Sequence, residues 1–214
     1  SSARFCNRAL YFPLFAAAVG GMAWLYTHAE SHQHIKYVIP AYLISLFLIC
    51  MACHGEIVRR APAAKYLTRF YLLIALGGAL GGVFASVIAP LLFETYLELP
   101  LLLIVLAEIM VALQWRRRGA RALLWVVRAA MIVGVVALNL VLVAAELRAR
   151  EQEVRIERNF YGVLRVRDHF ENDARRRTLM HGTIGHGYQF LDPDYRQAAG
   201  AYYSLGSGVG RVLA

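Results

Sequence analysis

The stretch Leu140-Val-Leu-Val-Ala-Ala-Glu-Leu-Arg148-Ala-Arg-Glu-Gln-Glu-Val154-Arg-Ile-Glu-Arg158 decides the fold. Up to Ala145 it is apolar without interruption, as a helix surrounded by hydrocarbon requires. Beyond Arg148 charged residues recur at nearly every second position, and Val154 and Ile156 alternate with polar neighbours at the period of a half-buried strand. The chain changes solvent here. Residues 1–147 read as a transmembrane helical bundle and 148–214 as a small β-domain.

Composition supports the first half of that reading. The 214 residues are 59% hydrophobic and 17% charged, with mean hydropathy +0.48, whereas soluble domains carry about 25% charged residues. Five apolar runs, Ala9–Tyr26, Tyr37–Cys53, Phe70–Phe93, Leu99–Trp115 and Leu123–Ala145, approach the roughly 20 residues needed to cross a bilayer. The first is too long for a signal-peptide core and four more follow it. A chain that starts at Ser1 without Met fits a processed or trimmed protein. The expected class is an α-helical integral membrane protein of about five transmembrane helices with a small C-terminal antiparallel β-domain.

The formal charge of +9 does not point to nucleic acid, because the basic residues do not gather on one isolated face. Arg59, Arg60, Lys65 and Arg69 fill one connection between apolar runs; Arg116, Arg117, Arg118 and Arg121 fill another. Cytoplasmic loops of membrane proteins carry this excess. It places the N-terminus inside and His28–Lys36, the acidic loop Glu94–Glu98 and the polar tail outside. The expected location is a bacterial inner membrane with a periplasmic tail.

Within the apolar runs a few residues stand out. Gly78, Gly82 and Ser86 recur every four positions, giving one helical face almost no side chain, so that another helix backbone can approach closely. Packing within the chain's own bundle and docking onto a partner subunit both follow from such a face. Glu108 lies seven residues before Trp115 and Arg128 five after Leu123, which puts both side chains roughly 8–11 Å from the same membrane edge. Opposite charges at that depth tend to pair, and a structural Glu108–Arg128 pair is expected. Asn139 is the only other strongly polar side chain deep in the fifth run, which argues against a transport path.

Cys50-Met-Ala-Cys53-His54 matches the C-x-x-C-H pattern of covalent haem attachment. Its setting argues against haem, because charge places that helix end on the cytoplasmic side and Cys in an apolar helix behaves as a small hydrophobe. No cofactor is expected.

After Arg148 the strands continue. Leu164 and Val166 alternate with polar residues, Glu171-Asn-Asp173 supplies a turn, Thr178–Ile184 a second strand, and Asp192-Pro-Asp194 ends the sheet. His181 and His186, five apart, would point to opposite faces of one strand, so no metal site is expected. Gly206-Ser-Gly-Val-Gly210 lacks the preceding strand and following acidic residue of a dinucleotide loop and reads as a loop or helix start.

Cys53-His-Gly-Glu56, Pro62, Leu67-Thr-Arg-Phe-Tyr-Leu72, Gly77-Gly-Ala-Leu-Gly-Gly82 and Ala89-Pro-Leu-Leu-Phe93 resemble the membrane part of the bacterial spermidine-synthase-like membrane proteins, the fused transporter/spermidine synthase family. Asn159-Phe-Tyr-Gly-Val-Leu-Arg-Val166, Leu179-Met-His-Gly-Thr-Ile-Gly-His-Gly-Tyr-Gln189, Tyr202-Tyr203 and Ser207-Gly-Val-Gly210 resemble that family's small N-terminal β-domain. The resemblance covers the chain from Cys53 onward. It implies that the nucleotide-binding Rossmann half is absent from this sequence, and that Gln189 and Tyr203 fall near substrate-contacting positions. Departures at His181-Gly182, where the family has an aspartate–glycine segment, and at Ser204, where it has His-Glu, weigh against aminopropyl transfer.

The expected function is therefore a non-catalytic anchor or accessory subunit of a larger membrane complex, its partners the lipid bilayer and other membrane subunits rather than nucleic acid. The alternative is a fragment of a membrane-bound aminopropyltransferase whose Rossmann domain is missing. Less favoured is a haem-c electron-transfer protein using Cys50, Cys53 and His54.

Overall fold

The computed structural model describes residues 8–28, 35–115, 121–151, 153–171, 174–182 and 184–213. It contains helices α1 (Arg8–His28), α2 (Ile35–Val58), α3 (Leu67–Val83), α4 (Ala89–Leu92), α5 (Glu98–Trp115) and α6 (Arg121–Glu151). Strands β1 (Glu153–Asn159), β2 (Gly162–Glu171), β3 (Ala174–His181) and β4 (Ile184–Phe190) follow, and a short α7 (Gly208–Leu213) comes last. A 3-10 turn, Ala64–Tyr66, leads into α3, and a wide π turn, Phe84–Ile88, joins α3 to α4. Among the described residues, five helical segments are long and apolar enough to cross a membrane: Leu10–His28, Ile35–Val58, Ala64–Leu92, Glu98–Trp115 and Leu124–Glu151.

The π turn has a local cause. Pro90 has no N–H to give the carbonyl of Ser86, and its ring crowds that carbonyl. The turn ahead of it opens until the Ala89 N–H reaches Phe84 O, five residues back. Ser86 Oγ donates to Gly82 O at 2.7 Å, a back-bond that serines make in helices.

The chain forms two compact units. One holds residues up to Gly81 together with Glu98–Ala145; the other holds Gly82–Leu97 and the residues from Glu146 onward. The first unit is centred on α1, whose Phe15, Ala18, Val19, Met22 and Ala23 are buried at the spacing of one helical face. Ile49 and Ala52 of α2, Leu103 and Met110 of α5, and Leu142 of α6 complete this core. Helix α3 buries none of its residues.

The second unit is built on an antiparallel meander, order β1-β2-β3-β4. Its inner face is set by the register Arg158↔Val163 and Arg165↔Ile156 between β1 and β2, and Arg165↔Met180 and Arg167↔Thr178 between β2 and β3. Val163 is fully buried, contributing about 1.5–3 kcal/mol. Glu153 is also on this face, its side chain 1% exposed, with Oε1 bonded to Arg167 Nε at 2.6 Å and 3.3 Å from Arg165 Nη1.

Two expectations change here. The apolar character ends at Ala145 but the helix does not. Ala, Glu, Leu and Arg are strong helix formers, and α6 runs past Arg148 to Glu151, so the end of the apolar run and the change of secondary structure are separated. The expected strand Thr178–Ile184 is instead two strands. Gly182, at φ +60, turns the chain between β3 and β4. The expected turn residues Asn172 and Asp173 lie outside the described residues, as do Arg116, Arg117 and Arg118; β2 ends at Glu171 and β3 begins at Ala174, and β4 ends at Phe190, ahead of Asp192.

Candidate functional site: a latched sheet and a bare helix face

The connection after α4 is acidic and polar, and the second unit uses it as a seat for the sheet. Thr95, 1% exposed, donates its hydroxyl to Glu146 Oε1 at 2.6 Å. Arg150, one turn further along α6, lies 3.5 Å from both Glu146 Oε1 and Glu94 Oε2. From β1, Arg158 Nη1 donates to Thr95 O at 2.5 Å, and the guanidinium lies 4.8 Å above the Tyr96 ring. The connection is thus joined to the end of α6 and to β1, both more than 50 residues on, by charge-assisted hydrogen bonds and a cation–π contact. The sequence reading assigned Glu94–Glu98 to a plain acidic loop; a threonine flanked by Glu and Tyr carries no motif that marks it as a seat.

The bare face of the third apolar segment is open. A Cβ added at Gly77, Gly78, Gly81 or Gly82 would meet nothing within 4 Å, and Ser86 is exposed. Packing of the Gly78–Gly82 face inside the chain's own bundle, one of its two expected uses, is not what the described residues form.

Glu108 and Arg128 belong to neighbouring helices of the first unit, but among the described residues no ion pair joins them. Glu108 lines a groove with Val111, Ala112, Trp115, Ile132, Val135 and Val136. Arg128 Nη2 donates to Trp115 O at 2.7 Å, and its guanidinium lies 4.9 Å from the Trp115 ring and 5.8 Å from the Trp125 ring. The physical reason is the reach of arginine: its long side chain can run along the helix, and here the guanidinium ends on the carbonyl and ring of Trp115. Asn139 Nδ2 likewise donates to Val135 O at 2.9 Å, within its own helix. A buried acid that the depth argument passed over is Glu56, its side chain 9% exposed and paired with Arg60 at 2.6 Å.

Cys50, Cys53 and His54 lie within α2, both thiols free and His54 Nδ1 2.8 Å from Cys50 O. Gln189 is on β4 opposite Arg177, its Nε2 donating to Arg196 O at 3.4 Å. Tyr203 is exposed at the end of the turn Ala201–Tyr203. No hydrogen bond brings Gln189 and Tyr203 together.

On the outer face of the sheet, Asp168 accepts from Arg177 Nε at 2.7 Å and Nη2 at 2.9 Å, and from Arg175 Nη2 at 3.1 Å. The hydrogen bond from Arg177 holds the Asp168 carboxyl below the usual carboxylate range and raises Arg177 in turn. His169, on the other face, is pushed down by burial and then by the charge of Arg176, whose Nε donates to His169 Nε2 at 2.8 Å. His181 and His186, expected on opposite faces, lie with ring centres 5.8 Å apart, because a turn and a bulge separate them. Among the described residues no group of three or more His, Cys, Asp or Glu gathers as a metal cage.

Comparison with family models, with curated proteins and with solved structures finds no match to this chain.

Proposed function

We propose that the chain is an integral membrane protein, its five long apolar helices the spans, and that it serves as a non-catalytic anchor or accessory subunit of a larger membrane assembly. The observation that carries this reading is the third apolar segment. It is 29 residues long, its α3 part buries nothing, and its glycine face is open. Lipid covers Leu and Ile well, but a face of glycines is best filled by another helix backbone. The partner class is therefore a second membrane subunit, and the latched sheet is the polar unit that the anchor holds.

The latch supports the span count. Five spans put the connection after the third and the segment after the fifth on one side of the membrane, and Arg158 joins those two segments. Arg59, Arg60, Lys65 and Arg69 favour the cytoplasm for the other side, which makes the sheet periplasmic in a bacterial inner membrane. The resemblance to spermidine-synthase-like membrane proteins leads one to expect a small β-domain of residues 148–214.

The test pairs two measurements. Alkaline carbonate should leave the protein in the membrane pellet. Light scattering after mild detergent extraction should give a complex that Gly78→Leu with Gly82→Leu reduces to the chain alone, without releasing it from the membrane. Extraction by carbonate, or a wild-type monomer of the same mass as the double variant, would overturn the reading.

A further inference from the structure

The hairpin that the sequence reading took for continuous strand brings two histidines side by side. His181 ends β3 and pairs with Ile184. His186 is the extra residue where the register passes from Met180↔Gly185 to Leu179↔Gly187. A bulge re-aims a side chain that regular pleating would send elsewhere. Here it sets the two rings 5.8 Å apart, centre to centre, with their planes 38° from one another. Two imidazoles sharing one tetrahedral ion at about 2.0 Å per bond hold their ring centres roughly 5 Å apart. A modest side-chain rotation closes that difference.

We propose that His181 and His186 form a two-histidine chelate for a divalent transition cation of the Zn²⁺ class. The tautomer of His181 is set for it. Its Nε2 lies 3.3 Å from the carbonyl oxygen of Tyr161, and a carbonyl can only accept, so Nε2 carries the proton and Nδ1 keeps its lone pair. Imidazoles that bind metals are held this way, the second nitrogen donating to a backbone carbonyl or carboxylate. Gly162 makes the arrangement possible, since a Cβ there would stand 2.6 Å from His181 Nε2. Imidazole donors select Zn²⁺, Ni²⁺ or Cu²⁺ over Mg²⁺ and Ca²⁺, which take oxygen. With two protein donors, the other coordination positions belong to water or to donors from another molecule.

The experiment is a Zn²⁺ titration of the full chain in detergent, read by competition with a chromophoric chelator. His181→Ala, His186→Ala and His169→Ala are compared with wild type, and far-UV circular dichroism checks the sheet in each. Loss of a supporting partner alone costs a metal site about 10- to 100-fold, so His181→Ala and His186→Ala should each weaken one Zn²⁺ equivalent by at least about tenfold. His169→Ala should bind as wild type, and Ca²⁺ should not compete. Should His181→Ala disturb the sheet, the exposed His186 decides alone. Zn²⁺ binding that survives His186→Ala, equal loss in all three variants, or no Zn²⁺ binding by wild type overturns the proposal.

Discussion

Arg158 Nη1 donates to the carbonyl oxygen of Thr95 at 2.5 Å. The acceptor carbonyl also takes the N–H of Leu97 at 2.9 Å, so the Glu94–Leu97 connection is held in its bent form from two directions. Arg158, opposite the buried Val163 in the β1–β2 register, thereby fastens β1 to this connection.

Arg158→Ala should lower the stability of the sheet-bearing unit by about 2 kcal/mol, the magnitude of a hydrogen bond from a charged donor. Arg158→Lys should recover part of this, keeping the charge but losing the flat contact with Tyr96. Denaturant unfolding in detergent, followed by sheet circular dichroism, measures both. Equal stability of wild type and Arg158→Ala would show that the bond contributes nothing.

Gly162→Ala and Gly182→Ala should differ. Gly162 sits at φ +141 and its Cβ would press on His181 Nε2 at 2.6 Å and Tyr96 Oη at 3.2 Å, so the substitution should cost about 1–3 kcal/mol in backbone strain, with the contact penalty added. Gly182 sits at φ +60 with nothing within 4 Å of the added atom, and its cost should stop at about 1–2 kcal/mol. The order of the two unfolding midpoints tests the assignment of Gly162 as a point of close approach.

Acid should weaken the sheet in two stages. His169 and Asp168 both have folded-state values below their ordinary ones, so the unfolded chain binds more protons and stability rises with pH. The His169 share is present above about pH 6.5 and is lost as pH falls below it. The Asp168 share is present above about pH 3.9 and goes as pH falls through the lower folded value. Thermal melting between pH 8 and 5 should drop less in His169→Gln than in wild type; parallel profiles would remove His169 from the account.

How much of this was legible follows from the range of the interactions. The five apolar segments could be read because length and composition alone define them, and the sheet was visible in the alternation around Ile156 and Val166. The end of α6 was not, since Glu146-Leu-Arg-Ala-Arg-Glu151 is polar yet strongly helix-forming. The β3–β4 turn was hidden because His181-Gly-Thr-Ile-Gly-His186 alternates as a strand would, and only the positive φ of Gly182 reveals the reversal. For Arg128 and Glu108, depth arithmetic placed two charges at one level but said nothing of the carbonyl and ring of Trp115, which Arg128 contacts instead. The latch was least legible of all, because its partners are separated by 51 and 63 residues and meet through a backbone oxygen, which has no residue identity to read.

The same separation sets a clock. A ribosome working at 5–20 residues per second finishes Thr95 roughly 3 to 13 s before it reaches Arg158. The residues of the seat are therefore synthesised first, and β1 can be fastened to them only once Arg158 has emerged. Because β1 is the edge of the meander and the other strands follow it in chain order, the strand that carries the attachment is also the first of the four to leave the ribosome.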